Sequence, residues 1–180
     1  MKHRIKLSNV TTYKFGGYCN NFYIVSRENI GLFKESFSSK DNIILGKGSN
    51  VAFSDDGYHG NIINPNFNDI NFNDKLSEVK VGSSFFLPDL ARYYKANNII
   101  NAEFLIGIPG SVGGAVRMNA GAYGWEFSDI LVNVEVYNLD TNKVEILLKE
   151  DLNFEYRSSD NLDRMIILSA TLTATKGDPQ

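Results

Sequence analysis

Three stretches of this 180-residue sequence put small, donor-bearing residues where backbone can come close to a ligand. The first is ILGKGSN (44–50), in which an apolar run enters a turn containing Gly46, Gly48, Ser49 and Asn50. A glycine-rich turn at the carboxyl end of a buried strand presents backbone N–H groups as an anion-binding concavity. Ser49 and Asn50 add side-chain donors. The turn lacks the third glycine and following helix of a dinucleotide fingerprint, and the Lys-Ser/Thr of a phosphate loop. Taken alone, these residues read better as a tight structural turn. The second stretch is LIGIPGSVGGAVRMNAGAYG (105–124), where Arg117 is the only charge. Ile108, Pro109, Gly110, Ser111, Gly113 and Gly114 predict neither a strand nor a long helix before Ala115, which leaves their N–H groups free to face a ligand. Asn119, Gly121, Ala122 and Tyr123 continue the pattern. Two such loops in one small domain imply a large ligand with an anionic middle, such as a dinucleotide. The alternative is a structural Ω-loop. The third stretch is FEYRSSD (154–160). Arg157 carries a planar, permanently charged fork suited to a carboxylate or an enolate oxygen, unless it is an ordinary surface arginine in a polar turn.

Other candidates carry less. His3 and His59 have no nucleophile or metal-ligand spacing around them, and the adjacent acids of SDDG (54–57) suit a solvated turn. No metal site is expected. Cys19, the single cysteine, has no basic neighbour to activate it and excludes a disulfide framework.

The elements that must position these loops follow from periodicity. NNFYIVS (20–26), NIILG (42–46) and GNIIN (60–64) predict strands, and Ile30, Phe33 and Phe37 lie at helical spacing between the first two. This order predicts a small parallel βαβ lobe over residues 1–66. The Asn-rich PNFNDINFNDK (65–75) reads as the join to a second lobe over residues 67–180. There SEVKVGS predicts a strand, and FFLPDLARYYKANN an amphipathic helix with Pro88 in its first turn. ILVNVEVYNLD and NKVEILLKE predict an antiparallel hairpin, and MIILSATLTATK a last strand. The expected class is α+β, the two lobes together forming one domain.

Composition bounds the partners. Hydrophobic residues at 43% and charged residues at 22% are ordinary for a soluble globular protein, and a formal charge of −3 gives no electrostatic case for nucleic acid or an acidic lipid surface. No apolar segment follows the basic N-terminus as in a secretory signal, and no run approaches the length of a membrane helix. A cytoplasmic setting is expected.

The three stretches, in order and spacing, resemble the bacterial UDP-N-acetylenolpyruvoylglucosamine reductase (MurB) family. NVTTYKFGG (9–17) is similar to that family's opening motif, and the resemblance runs from about Asn9 to Pro179. It implies the two-lobed FAD-binding fold shared with vanillyl-alcohol-oxidase-like (PCMH-type) flavoproteins, with non-covalent FAD and NADPH as reductant. The implied reaction reduces the enolpyruvyl group of a UDP-sugar to give UDP-N-acetylmuramate for peptidoglycan. By this resemblance Gly46, Gly48, Ser49 and Asn50 hold the FAD pyrophosphate. Ile108, Pro109, Gly110, Ser111, Gly113 and Gly114 line the phosphate and flavin side, Asn119, Gly121, Ala122 and Tyr123 run along the cofactor, and Arg157 stabilises the enolate. Tyr18, Cys19 and Lys47 depart from the family's small residues at those places. The family's third, substrate-binding domain, with its proton-donating serine and assisting glutamate, has no counterpart among these residues. The chain is therefore expected to bind FAD but to be incomplete for turnover. A naturally short flavoprotein with another task, and a cofactor-free module, are the alternatives.

Overall fold

The computed structural model describes residues 2–33 and 41–178. Its first sheet is built from β1 (Lys2–Lys6), β2 (Tyr18–Val25), β3 (Asn42–Ile44) and β4 (Tyr58–Pro65) in the order β1-β2-β4-β3. β4 pairs in parallel with both β2 and β3, as the strand–helix–strand pattern predicts, while β1 adds an antiparallel edge. That edge strand is absent from the sequence reading. KHRIK has no apolar alternation, and among its described side chains Ile5 alone packs on the apolar cluster of Leu7, Cys19, Phe22, Leu45 and Ile62. Between β2 and β3, where a helix was expected, the described residues form a 3-10 turn, Ile30–Phe33; Phe37 lies outside the described residues.

The second sheet contains β5 (Ile70–Asn73) and β6 (Glu78–Gly82), then, beyond the intervening helices, β9 (Leu131–Asn138), β10 (Lys143–Leu148) and β11 (Met165–Thr173). It is antiparallel throughout, in the order β10-β9-β11-β6-β5. β5 corrects the reading of 65–75 as a plain connector. Its Asn-rich sequence hides a short edge strand whose Ile70 and Phe72 pack on the core. Helix α1 (Leu87–Ala96) starts with Pro88 in its first turn and buries Leu87, Leu90, Ala91 and Tyr94. The Tyr94 hydroxyl donates to Thr173 O at 2.9 Å, pinning the helix to β11. Helix α2 (Val112–Arg117), a two-stranded hairpin of β7 (Gly121–Ala122) and β8 (Trp125–Glu126), and α3 (Phe127–Ile130) complete this layer. Among the described residues no helix is long and apolar enough to cross a membrane.

β11 shows how one strand serves two cores. Ile166 and Leu168 face the first sheet, in a cluster with Tyr23, Val25, Ile63 and Phe67, whereas Ile167 faces the helices. The register then slips between Ile167 and Ser169, and Ala170 and Leu172 join Ile167 on the helix side. A bulge adds one residue and so changes which face each later side chain meets. On the opposite face the slip brings Ser169 to the Glu135 carboxylate. Glu135 also accepts two bonds from Arg27 at 3.0 Å each and one from Lys80 at 2.9 Å. Arg27 follows a strand of the first sheet and Glu135 belongs to the second, so this cluster ties the sheets together. The Arg27 guanidinium, helped by Lys80 and Ser169, holds the Glu135 carboxyl down at about 2.

Candidate cofactor-binding site

The two glycine loops meet. A Cβ placed on Gly46 would lie 2.5 Å from Ser111 Oγ, and one on Gly110 would lie 3.1 Å from Ser49 Oγ. Each loop therefore uses a glycine to let the other's serine approach. The first loop is braced from behind: Gly48 has φ +66° and presses on Val10 O and on Thr11 Cα, where a Cβ would come within 2.9 Å of the latter. Thr12 N–H donates to Gly48 O at 2.9 Å, and Thr11 Oγ1 donates to Phe15 O at 3.1 Å. The NVTT segment thus acts as a buttress that fixes the turn, and only glycine tolerates that left-handed, crowded position.

The second loop is less free than its composition implies. α2 starts at Val112, three residues before Ala115, and its first N–H groups are already used. Val112 N–H donates to Phe85 O at 3.0 Å and Gly113 N–H to Ser83 O at 2.8 Å. Gly113 is thus a packing glycine as well as a wall residue, for a Cβ there would lie 3.1 Å from Ser83 Cβ.

Between the loops lies a cavity of about 650 Å³. Among the residues singled out from sequence, Gly46, Gly48, Ser49, Asn50, Ile108, Pro109, Gly110, Ser111, Gly113, Gly114, Gly121 and Arg157 line it. A smaller space of about 340 Å³ adjoins it through Gly46, Lys47, Pro65, Ser84 and Ser111, and reaches Thr11, Thr12 and Lys14. The larger cavity is walled by Ile43, Leu87, Met165 and Ile167, so a flat apolar body and a charged chain can share it. Its lining carries Lys47, Arg117, Arg157 and Arg164, of which Arg117 is paired with Asp163 at 3.0 Å and Arg164 with Asp140 at 2.6 Å, while Arg157 lies 3.6 Å from Glu126. Asp163, Asp140 and Glu126 offset much of this charge, so it is the N–H donors of these side chains, more than a net positive field, that suit an anionic ligand. Sequence reasoning set Lys47 aside as a departure from pattern, and missed Arg117 and Arg164 because no local motif joins them. Topology does: Ser159 Oγ donates to Arg117 O at 3.0 Å, and Arg117 donates back to Ser159 O at 3.1 Å and to Asp163 at 3.0 Å.

Asn119, Ala122 and Tyr123 are not brought into the cavity wall. Asn119 is a buried brace, donating to Glu126 Oε2 at 2.7 Å and Glu155 O at 3.1 Å while accepting from Ser128 N–H at 3.1 Å. Ala122 is in the β7–β8 hairpin, whose two-residue turn Tyr123-Gly124 has φ +56° and +84°. Both central residues at positive φ match the right-handed twist of paired strands. Tyr123 itself projects outward and is exposed. Arg157 takes the left-handed position (φ +57°) of a tight turn closed by the Glu155–Ser158 bridge, and is not at a strand end. It donates to Asn119 O at 3.1 Å and Gly121 O at 2.8 Å, with Glu126 3.6 Å away. A Cβ on Gly121 would collide first with the backbone oxygen of Trp125 across the hairpin, and would also lie 3.1 Å from Glu126 Cγ and 3.2 Å from Arg157 Nη1. Two of five N–H donors are used on carbonyls, leaving part of the fork to face the cavity. Cys19 is buried, and burial pushes its thiol up, so no thiolate chemistry arises there.

Paired mixed and antiparallel sheets with a glycine-walled, cation-lined cleft between them define an α+β protein built to hold an extended anionic cofactor. The family model described as FAD binding domain matches residues 38–146, and the chain belongs to that family. It is 40% identical over 162 residues to UDP-N-acetylenolpyruvoylglucosamine reductase of Orientia tsutsugamushi (strain Ikeda), covering 87% of this chain and 53% of that protein. It is 38% identical over 183 residues to the same-named reductase of Rickettsia massiliae (strain Mtu5), covering 99% of this chain and 61% of that one. Among solved structures, the crystal structure of UDP-N-acetylenolpyruvylglucosamine reductase (MurB) from Thermus caldophilus superposes with a TM-score of 0.84 at 28% identity, over 98% of this chain and 63% of that one. Alkyldihydroxyacetonephosphate synthase shares the fold, with a TM-score of 0.60 at 11% identity, over 89% of this chain and 32% of that one. The α+β FAD-binding fold expected from the sequence is borne out, and its cofactor is FAD. The chain spans 53%, 61% and 63% of the lengths of the three reductases.

Proposed function

We propose that this chain is the FAD-holding part of a UDP-N-acetylenolpyruvoylglucosamine reductase, and that the cofactor sits non-covalently in the cavity between the two glycine loops. The lobes of this one domain are residues 1–66 and 67–180, and the protein works in the cytoplasm without a nucleic-acid or membrane partner. The observation that carries the reading is the mutual approach of Gly46 to Ser111 and of Gly110 to Ser49 in a cavity lined by four cationic side chains. Such a cleft fits a dinucleotide, for a Cβ at either glycine would fill the cradle and the N–H donors of those side chains match a pyrophosphate. Gly46, Gly48, Ser49 and Asn50 would take one side of the pyrophosphate, and Gly110 to Gly114 the other. Asn119, Ala122 and Tyr123 contribute by shaping the hairpin that carries Gly121. When bound, FAD supplies a hydride carrier between NADPH and the enolpyruvyl double bond of the UDP-sugar. Arg157 then does what a fixed cation does beside developing negative charge: its remaining N–H donors stabilise the carboxylate-conjugated oxyanion of the reduced enolpyruvyl group. Its two bonds to backbone carbonyls hold the guanidinium in place before the reaction, so little reorganisation is needed.

The test is a titration of the purified protein with FAD, followed by NADPH oxidation with and without the UDP-enolpyruvyl sugar in a protein of the relatives' full length. Saturable flavin binding and sugar-dependent NADPH consumption are expected. Sugar-independent consumption alone would assign the flavin to another substrate, and a protein that ignores FAD would refute the reading outright.

A further inference from the structure

Ser83 and Ser84 follow β6 side by side, and both are buried, yet their hydroxyls have opposite fates. Ser84 Oγ donates to Pro65 O at 2.6 Å and accepts from Phe67 N–H at 3.0 Å, so it is fully used in joining the end of β4 to the second sheet. Ser83 Oγ is buried with no hydrogen-bond partner among the described residues. Its backbone is well anchored: the N–H donates to Leu168 O at 2.9 Å and the carbonyl accepts from Gly113 N–H at 2.8 Å. Buried hydroxyls are almost always paired, so an orphan asks for a missing partner. Ser83 lines the 650 Å³ cavity beside Gly113 and Gly114, and a Cβ on Gly113 would lie 3.7 Å from its Oγ. The hydroxyl is itself buried behind the cavity wall, and the absent side chain at position 113 leaves the Ser83 side chain uncrowded on that side.

We propose that Ser83 is a cofactor-binding residue whose hydroxyl, after rotation about χ1, pairs with a polar atom of the bound FAD. This rests on the reading of the cavity as the FAD site. A serine needs only one staggered torsion to exchange a buried setting for a ligand-facing one, so no backbone movement is required. Ser84 cannot play this part because its two bonds would have to break.

The experiment compares wild type, Ser83→Ala and Ser84→Ala by equilibrium titration with FAD and by thermal melts of the FAD-free proteins. For Ser83→Ala the account expects FAD binding about threefold to tenfold weaker, the effect of one neutral hydrogen bond, with an unchanged or slightly higher melting temperature of the FAD-free protein. Ser84→Ala should instead lower that melting temperature. If wild type binds FAD and Ser83→Ala binds equally well, or if Ser83→Ala loses FAD-free stability as Ser84→Ala does, the hydroxyl is structural and the inference falls. If wild type itself does not bind FAD, the reading of the cavity fails and takes the inference with it.

Discussion

Two glycines two residues apart in the first loop should respond to the same substitution in opposite ways. A methyl group on Gly46 meets Ser111 Oγ at 2.5 Å and nothing else nearer than 3.7 Å. Ser111 can turn about χ1, so Gly46→Ala should change the stability of the FAD-free protein by less than about 1 kcal/mol. The methyl then stands in the neck shared by the two cavities, where backbone has to approach the cofactor. Losing one charge-assisted hydrogen bond, about 1.5–3 kcal/mol, weakens FAD binding roughly 10- to 100-fold. Gly48 differs on both counts. At φ +66° an alanine is disfavoured by about 1–2 kcal/mol, and the backbone of Val10 and Thr11, which its Cβ would strike, cannot rotate away. Gly48→Ala should therefore cost roughly 3 kcal/mol in total and lower Tm by roughly 6–12 °C for a domain of this size. Thermal melts without FAD and a flavin-fluorescence titration separate the two effects. The reasoning is refuted if Gly46→Ala lowers the FAD-free Tm as much as Gly48→Ala, or if Gly46→Ala binds FAD like wild type.

The Glu135 cluster makes a pH prediction. The carboxyl falls from 4.5 to about 2 on folding, so its contribution is complete above about pH 4.5 and is lost as pH falls through about 2. Glu135→Gln should cost about 1–2 kcal/mol at pH 7, limited because Arg27 and Lys80 are partly exposed, and should flatten the acid limb of a stability-versus-pH curve. Asn119→Ala removes three hydrogen bonds from a buried site and should cost about 2–4 kcal/mol in urea unfolding with an unchanged m-value. Arg157→Lys replaces a fork spanning two carbonyls with a point charge. It should leave FAD affinity within about twofold while lowering turnover of the full-length reductase by about 10²-fold, read as kcat.

What the sequence reveals and what it hides divide along physical lines. LPDLARYYKA is legible because it buries one apolar face, and the hairpin of β9 and β10 because a turn separates two apolar-rich runs, although Val144, Ile146 and Leu148 of β10 stay exposed. β1 and β5 are not: KHRIK has no apolar alternation, and the four-residue alternation of INFN is too short to stand out from its Asn- and Asp-rich surroundings. The start of α2 is hidden by Gly113 and Gly114, poor helix formers, of which Gly113 is where the helix docks directly on Ser83. In the site, the glycines announce close backbone approach, but the partner each one approaches is set by tertiary contact. The set of cations is illegible locally, since Lys47, Arg117 and the pair Arg157 and Arg164 come from three separate segments. Ser83 looked like an unremarkable strand-end residue until its hydroxyl proved unpaired while its neighbour's was doubly bonded.

The most direct test of the account is a crystal structure of the protein with FAD. The account predicts the pyrophosphate between Gly46–Asn50 and Gly110–Gly114, with the flavin along the cavity that Ser83 and Arg157 line. FAD bound on another face, or absent from crystals grown at saturating concentration, would contradict it.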